Sequence, residues 1–444
     1  MPGLVHTERD SIHLLLHPER PRWVAANRMG WEILGLCDGS STIRSIASRV
    51  AKRYDADPGQ VEGDVIAFIR SLADAQLILT GADGGMEGKP PVSIRSIFLH
   101  LTDRCNLRCI HCYVGSTPSV DEELESSRIH GLIDELADLG GRGITFSGGE
   151  PLLRKDWLEI FEHAAERLTA TLNTNGTLIK EATAAQLARL DPHIQVSLDG
   201  PNADVHDRIR GTGTFDAAVR GIRLLQEKGL GERLVISMTL MKQNIGSAPE
   251  MLSFVQRLGA PKLRFLPLHS QGRARSSWAT LDATVEDYLA WYRHVYYEWR
   301  ADRPGLELAG GLPGYLLYVS SSEEEPWCGI GRRVVIGANG DVQPCSLLMD
   351  EAFTLGNIKR MSLREIEASD RLGELTASCL ARKERIPECR ECTWRNFCQA
   401  SCPAFAFLER GTLLATDDYC DFRRRLFEDS IFRIARTRES GVSP

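Results

Sequence analysis

Between residues 93 and 275, six short runs with strand character alternate with five of helical period. The strand candidates are "SIRSIFLHLT", "GRGITFSGG", "TATLNTNG", "HIQVSLDG", "RLVISMTLM" and "KLRFLPLHS"; the helices include "SSRIHGLIDELADLG" and "TFDAAVRGIRLLQEKG". A strand that returns parallel to its predecessor needs a long crossover, which a helix supplies. The repeat therefore predicts a parallel sheet covered by helices. Such folds gather their chemistry at the carboxyl ends of the strands, and the unusual motifs of this chain fall there.

The first motif is "RCNLRCIHCY" (104–113), directly after the first strand, with Cys105, Cys109 and Cys112 spaced Cys-x3-Cys-x2-Cys. Of twelve cysteines, ten fall into two groups, 105–112 and 328–420, with none between Cys112 and Cys328; Cys37 and Cys379 stand apart. Cysteines scattered as small core residues would not leave such a gap. In a reducing compartment, close cysteine spacing points to metal ligation or catalysis rather than disulfides. Three thiolates on one loop can hold a corner of a cubic iron–sulfur cluster, whose usual ligand set is four cysteines. Structural zinc would need a fourth ligand, and His111, adjacent to Cys112, is poorly placed for the same ion.

"SGGEP" (147–151) ends the second strand: Gly148 and Gly149 allow close backbone approach to a ligand, and Glu150 supplies a carboxylate. "NTNG" (173–176) and "SLDG" (197–200) end the third and fourth strands. Asn173, Asn175, Ser197 and Asp199 can hydrogen-bond a ribose or a carboxylate, although such dipeptides also form ordinary turns. "HDRIRG" then offers Arg210, with Arg208 as its rival, and an arginine fork grips a carboxylate with two bonds.

These motifs together resemble the radical S-adenosylmethionine (SAM) superfamily. The resemblance implies a partial (β/α)6 TIM-type barrel. It implies that Cys105, Cys109 and Cys112 hold a [4Fe–4S] cluster whose fourth iron, free of protein ligands, chelates SAM. One electron from that cluster then yields a 5′-deoxyadenosyl radical. By the same resemblance "SGGEP" binds the methionine ammonium, Arg210 pairs with the SAM carboxylate, and His111 stacks against adenine. "LPLHSQGRA", after the sixth strand, is expected at the adenine pocket.

From Cys328 the chain gives Cys-x11-Gly-x4-Cys to Cys345, then Cys389-x2-Cys392-x5-Cys398-x3-Cys402, and finally Cys420. This order resembles the SPASM extension of radical SAM enzymes that mostly act on peptides; two zinc ribbons are the bland alternative. The resemblance implies two auxiliary [4Fe–4S] clusters, three in all. The distal one would use Cys389, Cys392, Cys398 and Cys420, and the proximal one Cys328, Cys345 and Cys402. The preceding "YVSSSEEEPW" lacks the extra cysteine that some relatives carry. The proximal cluster is thus expected either to keep an open iron for a substrate thiolate or amide, or to take Cys379.

At the amino end, "IHLLLH" and "RWVAAN" read as a hairpin, followed by helices at "RMGWEILGL", "STIRSIASRVAKRY" and a stretch with Val61, Val65, Phe68, Ile69 and Leu72 on one face. This winged-helix-like module resembles the PqqD-like domain that recognises ribosomally made precursor peptides, where a leader adds as a strand to the sheet. A DNA-binding reading would need a basic recognition helix, but the last helix sets Glu62 and Asp64 against Arg70, and the chain's net charge is −7. No apolar run is long enough to span a bilayer, and the start lacks signal-peptide features, so a cytoplasmic location is expected. Expected boundaries are 1–82 for the recognition domain, 83–92 for a linker, 93–310 for the barrel and 311–444 for the SPASM region with a terminal helix.

The expected function is peptide maturation by a radical SAM/SPASM enzyme that installs a cross-link, thioether first, in a ribosomally synthesised precursor peptide. A flavodoxin or ferredoxin is the expected reductant, and neither nucleic acid nor membrane is an expected partner. The alternatives are epimerisation, oxidative decarboxylation, a tetrapyrrole or sulfatase-cysteine substrate, and a non-catalytic iron–sulfur or leader-binding protein. No general base is assigned.

Overall fold

The computed structural model describes residues 4–17, 22–37, 40–75, 77, 92–115, 123–295, 305–308 and 328–439. The expected linker lies outside them except for Val92.

Three strands, β1 (Val5–Arg9), β2 (Ile12–Leu16) and β3 (Trp23–Ala26), form an antiparallel sheet in the order β1-β2-β3. Three helices follow: α1 (Arg28–Leu36), α2 (Ile43–Tyr54) and α3 (Pro58–Asp74). The side chains of Asn27, Thr42 and Asp57 accept a backbone N–H in the first turn of each helix, which supplies one of the donors that a helix start leaves unpaired. The expected hairpin is thus β2–β3, with β1 as an additional strand. β2 is buried along its whole length because it is covered on both faces. Leu15 packs against Leu34 and Leu72 of the module's own helices. Ile12, Leu14 and Leu16 pack against Trp394, Phe397, Phe427, Ile431 and Phe432 from the far end of the chain.

The large sheet has ten strands in the order β10-β9-β8-β7-β6-β5-β4-β11-β12-β13. Its centre is the expected set of six parallel strands: β4 (Ser96–Thr102), β5 (Gly143–Gly148), β6 (Thr169–Thr174), β7 (His193–Ser197), β8 (Leu234–Thr239) and β9 (Lys262–Leu266). The helices α4 (Ser126–Asp138), α5 (Trp157–Ala165), α6 (Glu181–Leu190), α7 (Ala203–Arg210), α8 (Thr214–Glu227) and α9 (Ala248–Leu258) fall between them. Together they make a partial TIM-type barrel. β10 (Glu307–Leu308) extends it beyond β9, while β11 (Arg333–Ile336) runs parallel to β4 and leads into β12 (Asp341–Gln343) and β13 (Gly356–Asn357). The carboxyl-terminal region therefore completes the sheet on the side of the first barrel strand.

Alternation along the barrel strands separates core from site. Ile97, Leu99, Ile144, Phe146, Leu172, Ile194, Val196, Ile236 and Leu263 are buried under the helices, each aromatic or aliphatic side chain contributing about 1.5–3 kcal/mol by leaving water. The residues between them, such as Thr145, Thr171, Gln195, Ser237 and Arg264, line a cavity of about 690 Å³. A closed barrel fills its interior with branched apolar side chains; here the interior is open and lined by polar and apolar side chains together.

Candidate active site

The cysteine loop leaves β4 and is gripped from three sides. Gly148 sits at φ +119°, and a Cβ there would lie 2.3 Å from the Thr102 carbonyl oxygen; one on Gly149 would lie 2.1 Å from that of Arg104. Any side chain would push the loop off, and without one the backbones bond directly. Gly149 N donates to Thr102 O at 2.7 Å, and Glu150 N to Arg104 O at 2.8 Å. From α7, Ile209 O accepts from Ile110 N at 3.0 Å. After β9, Gly272 at φ +57° fits against the Cys112 carbonyl, which accepts from Arg273 N at 2.9 Å, and Arg273 Nε donates to Cys109 O at 3.0 Å.

Cys105, Cys109, Cys112, His111, Gly148, Gly149, Asn173, Asn175, Ser197 and Arg210 all line the cavity mouth. Two expected contacts, Glu150 and Asp199, do not: both are fully buried behind it. Glu150 accepts from Thr174 Oγ1 at 2.8 Å, Asn175 N at 2.8 Å and Leu152 N at 3.2 Å, so it ties the end of β6 to the glycine turn. Burial pushes its carboxyl up to about 7 against the pull of those donors. Asp199 accepts from Arg210 Nε at 2.6 Å and Thr239 N at 2.8 Å, and lies 3.4 Å from His111 Nε2. Burial alone would raise the Asp199 carboxyl; Arg210, His111 and His206 outweigh it and hold it below the usual carboxylate range. Both carboxylates are held by neighbours, as a fully buried charge needs fixed partners.

Arg210 also points Nη1 at Cys109 Sγ, 3.9 Å away. Its rival Arg208 is exposed and donates to its own helix at Asp204 O. Burial lowers His111 to about 4, which leaves a neutral ring whose Nδ1 has no hydrogen-bond partner among the described residues. Asn175 is largely committed: its amide donates to Asn106 Oδ1 at 2.9 Å, and its carbonyl accepts from Thr177. Gly272 and Arg273 fall in the stretch expected at the adenine pocket, six and seven residues beyond the end of β9, whereas Asn106 and Thr177 were not singled out from the sequence.

The second cysteine group forms two sets. Burial pushes Cys389 up to about 12, and Cys398, Cys420 and Cys392 lie close enough to add to it. Cys328, Cys345 and Cys402 pack in one cluster with Cys379, which is 2% exposed on the helix Asp370–Leu380.

Family comparison agrees with this geometry. The model of the Radical SAM superfamily matches residues 99–255, that of coenzyme PQQ synthesis protein D (PqqD) residues 13–78, and that of the SPASM iron–sulfur cluster-binding domain residues 328–393. Mycofactocin maturase MftC of Mycolicibacterium smegmatis is 31% identical over 72% of this chain and 81% of its own length. This chain belongs to the radical SAM superfamily. A further relative, the AdoMet-dependent heme synthase of Methanosarcina barkeri, is 30% identical over 74% of this chain and 97% of its own length. Solved structures share the fold: native anSMEcpe with bound AdoMet at TM-score 0.64 and 19% identity, covering 77% of this chain and 99% of that one. Streptococcus suis SuiB bound to S-adenosylmethionine aligns at TM-score 0.61 and 15% identity over 94% of this chain and 98% of its own.

The donor sets of this radical SAM enzyme fit iron–sulfur clusters better than single ions. Among the described residues no three cysteine sulfurs lie within 4.8 Å of one another, whereas one zinc ion, with Zn–S near 2.3 Å, draws its sulfurs to about 3.8 Å. Burial and mutual repulsion push Cys105 and Cys328 each up to about 11, so these thiols ionise only with cationic help, and bound metal deprotonates them outright. Arg382 is fully buried beside the auxiliary cysteines; two of its donors reach Ser401 O and Ala415 O, and its Nε is unpaired among the described residues. A buried cation placed there would be balanced by a thiolate-ligated, anionic cluster.

Proposed function

We propose that this protein is a peptide maturase: a radical SAM/SPASM enzyme that oxidatively modifies a ribosomally synthesised precursor peptide held by its leader on the amino-terminal module. One observation carries the reading. The three-stranded sheet packs directly on Trp394 and Phe397, the segment that also carries Cys392 and Cys398, so a leader strand added to that sheet lies next to the auxiliary cysteines. The relatives support it. The heme synthase alignment uses nearly all of that protein and leaves a quarter of this chain unmatched, while SuiB bound to precursor peptide SuiA aligns with 93% of this chain.

Cys105, Cys109 and Cys112 would hold the SAM cluster, Cys389, Cys392, Cys398 and Cys420 the distal cluster, and Cys328, Cys345 and Cys402 the proximal one. Bound SAM and the reduced cluster supply the one-electron chemistry that takes a hydrogen atom from the peptide, a flavodoxin or ferredoxin providing the electron. The protein's own part is positioning. Arg210, fixed by Asp199, turns its remaining donors to the SAM carboxylate; the Gly148–Gly149 turn admits the ammonium; Asn173 and Ser197 serve the ribose, and the neutral His111 ring the adenine.

A cross-link is the proposed product. A thioether was favoured by an open proximal iron, but Cys379 packs with the other three proximal cysteines and offers a fourth thiolate. A closed cluster passes electrons without binding sulfur, which moves carbon–carbon cross-linking and oxidative decarboxylation ahead. Cys379→Ala is therefore expected to alter the Mössbauer spectrum of one cluster and lower iron by up to about four atoms per chain. Unchanged spectra and iron would restore the open site.

The full reaction is tested with the reconstituted enzyme, SAM, reductant and a short precursor peptide sought in the reading frames beside its gene. Peptide-dependent 5′-deoxyadenosine and a peptide lacking two hydrogens indicate a cross-link; loss of the carboxyl group indicates decarboxylation. If the peptide neither changes mass nor raises 5′-deoxyadenosine, the maturase reading is wrong.

A further inference from the structure

A second kind of metal site lies far from these cysteines in sequence, on the amino-terminal sheet. His6 and Glu8 of β1 and His13 of β2 share one face: Glu8 pairs directly with His13 in the ladder, and His6 sits diagonally across. Their ligating atoms all lie within 4.8 Å of one another. His6 Nε2 is 3.1 Å from His13 Nδ1, and Glu8 Oε2 is 3.6 Å from the same nitrogen. We propose that His6, Glu8 and His13 bind a zinc ion that staples the edge strand β1 to β2.

The spacing suits that ion. With Zn–N of 2.0–2.1 Å and Zn–O of 2.0–2.2 Å, tetrahedral ligand atoms stand about 3.3–3.5 Å apart, close to the two separations from His13 Nδ1. Two imidazoles and one carboxylate are a donor set that zinc accepts, with water completing the tetrahedron.

Ring orientation is fixed in advance. Trp31 of α1 stacks on both imidazoles, with interplanar angles of 17° to His6 and 6° to His13, and the two imidazoles are 21° from parallel. A metal lies in the plane of each ring it binds, so two rings held side by side on one indole face direct their lone pairs at a common point. Without a cation, a single shared proton satisfies the pair of nitrogens and leaves the carboxylate beyond hydrogen-bond distance. The ion engages all three acceptors at once.

The test uses the full-length, iron-replete enzyme. After exposure to zinc chloride and gel filtration, zinc is expected at a one-to-one ratio, with an X-ray absorption spectrum showing nitrogen and oxygen neighbours and no sulfur. His6 is exposed, so His6→Ala leaves the fold intact; it and the isosteric Glu8→Gln should each weaken zinc binding by at least about tenfold with iron content unchanged. The proposal is overturned if the wild type retains no zinc, if both variants retain as much as the wild type, or if the zinc shell contains sulfur.

Discussion

Alanine at Cys109 is expected to bring reductive SAM cleavage down to background and to remove about four iron atoms per chain, while the remaining iron keeps its wild-type spectrum. The loop should survive the change. Its hold on the barrel runs through backbone atoms, Gly149 N to Thr102 O, Ile110 N to Ile209 O and Arg273 N to Cys112 O, none of which involves the thiol. Cys109 is 8% exposed at the cavity mouth, so alanine leaves a small gap rather than a collapsed strand end. The decisive comparison is anaerobic 5′-deoxyadenosine formation and iron content, wild type against variant. If Cys109→Ala keeps its iron and cleaves SAM, the trio does not ligate the catalytic cluster.

Asp199→Asn is expected to destabilise the barrel by about 3–5 kcal/mol, because it leaves the Arg210 guanidinium in a buried site without its counter-charge. The change keeps the shape but turns one of the two acceptors, which face Thr239 N and Arg210 Nε, into an amide donor, so the loss combines charge with a broken hydrogen bond. Arg210→Met in the same background should recover much of the stability by removing the stranded cation, yet SAM binding should stay weak because the carboxylate partner is gone. Thermal unfolding and SAM binding by equilibrium dialysis therefore move apart in the double variant; if they move together, Arg210 is structural only. The pH dependence has a definite sign. The folded Asp199 carboxyl lies below its unfolded value of about 3.9, so its contribution is present above that pH and is lost as pH falls through the folded value. The stability gap between wild type and Asp199→Asn should be full at neutral pH and close on acidification.

What could be read beforehand follows the range of each signal. The barrel strands and helices announce themselves by a change of period within a few residues, and the cysteine sets by spacing. β1 gave no such sign: "VHTER" carries one aliphatic residue, and its turn uses Asp10 and Ser11 at φ +52° and +67°, positions where glycine or asparagine is the usual marker. α7 is short and polar, "ADVHDRIR", with only His206 and Ile209 buried. β11, β12 and β13 are two to four residues long and exist because each finds a ladder, β11 on β4, β12 on β11 and β13 on β12. Whether a carboxylate faces the cavity or stands behind it is a tertiary matter, which is why the motifs of Glu150 and Asp199 were legible and the burial of their side chains was not. The company that Cys379 keeps was likewise set by a helix packing across just over fifty residues of chain from Cys328.

The pairing of β11 with β4, in register from Arg333 opposite Ser96 to Ile336 opposite Leu99, bears on how such enzymes can be recombined. The strand that launches the catalytic loop would be a bare edge without its late-arriving neighbour, and a bare edge invites foreign strands. A chimera that grafts another relative's tail must therefore place its seam beyond residue 336 and keep the native ladder. Grafts joined upstream should yield insoluble protein even when every cysteine is present.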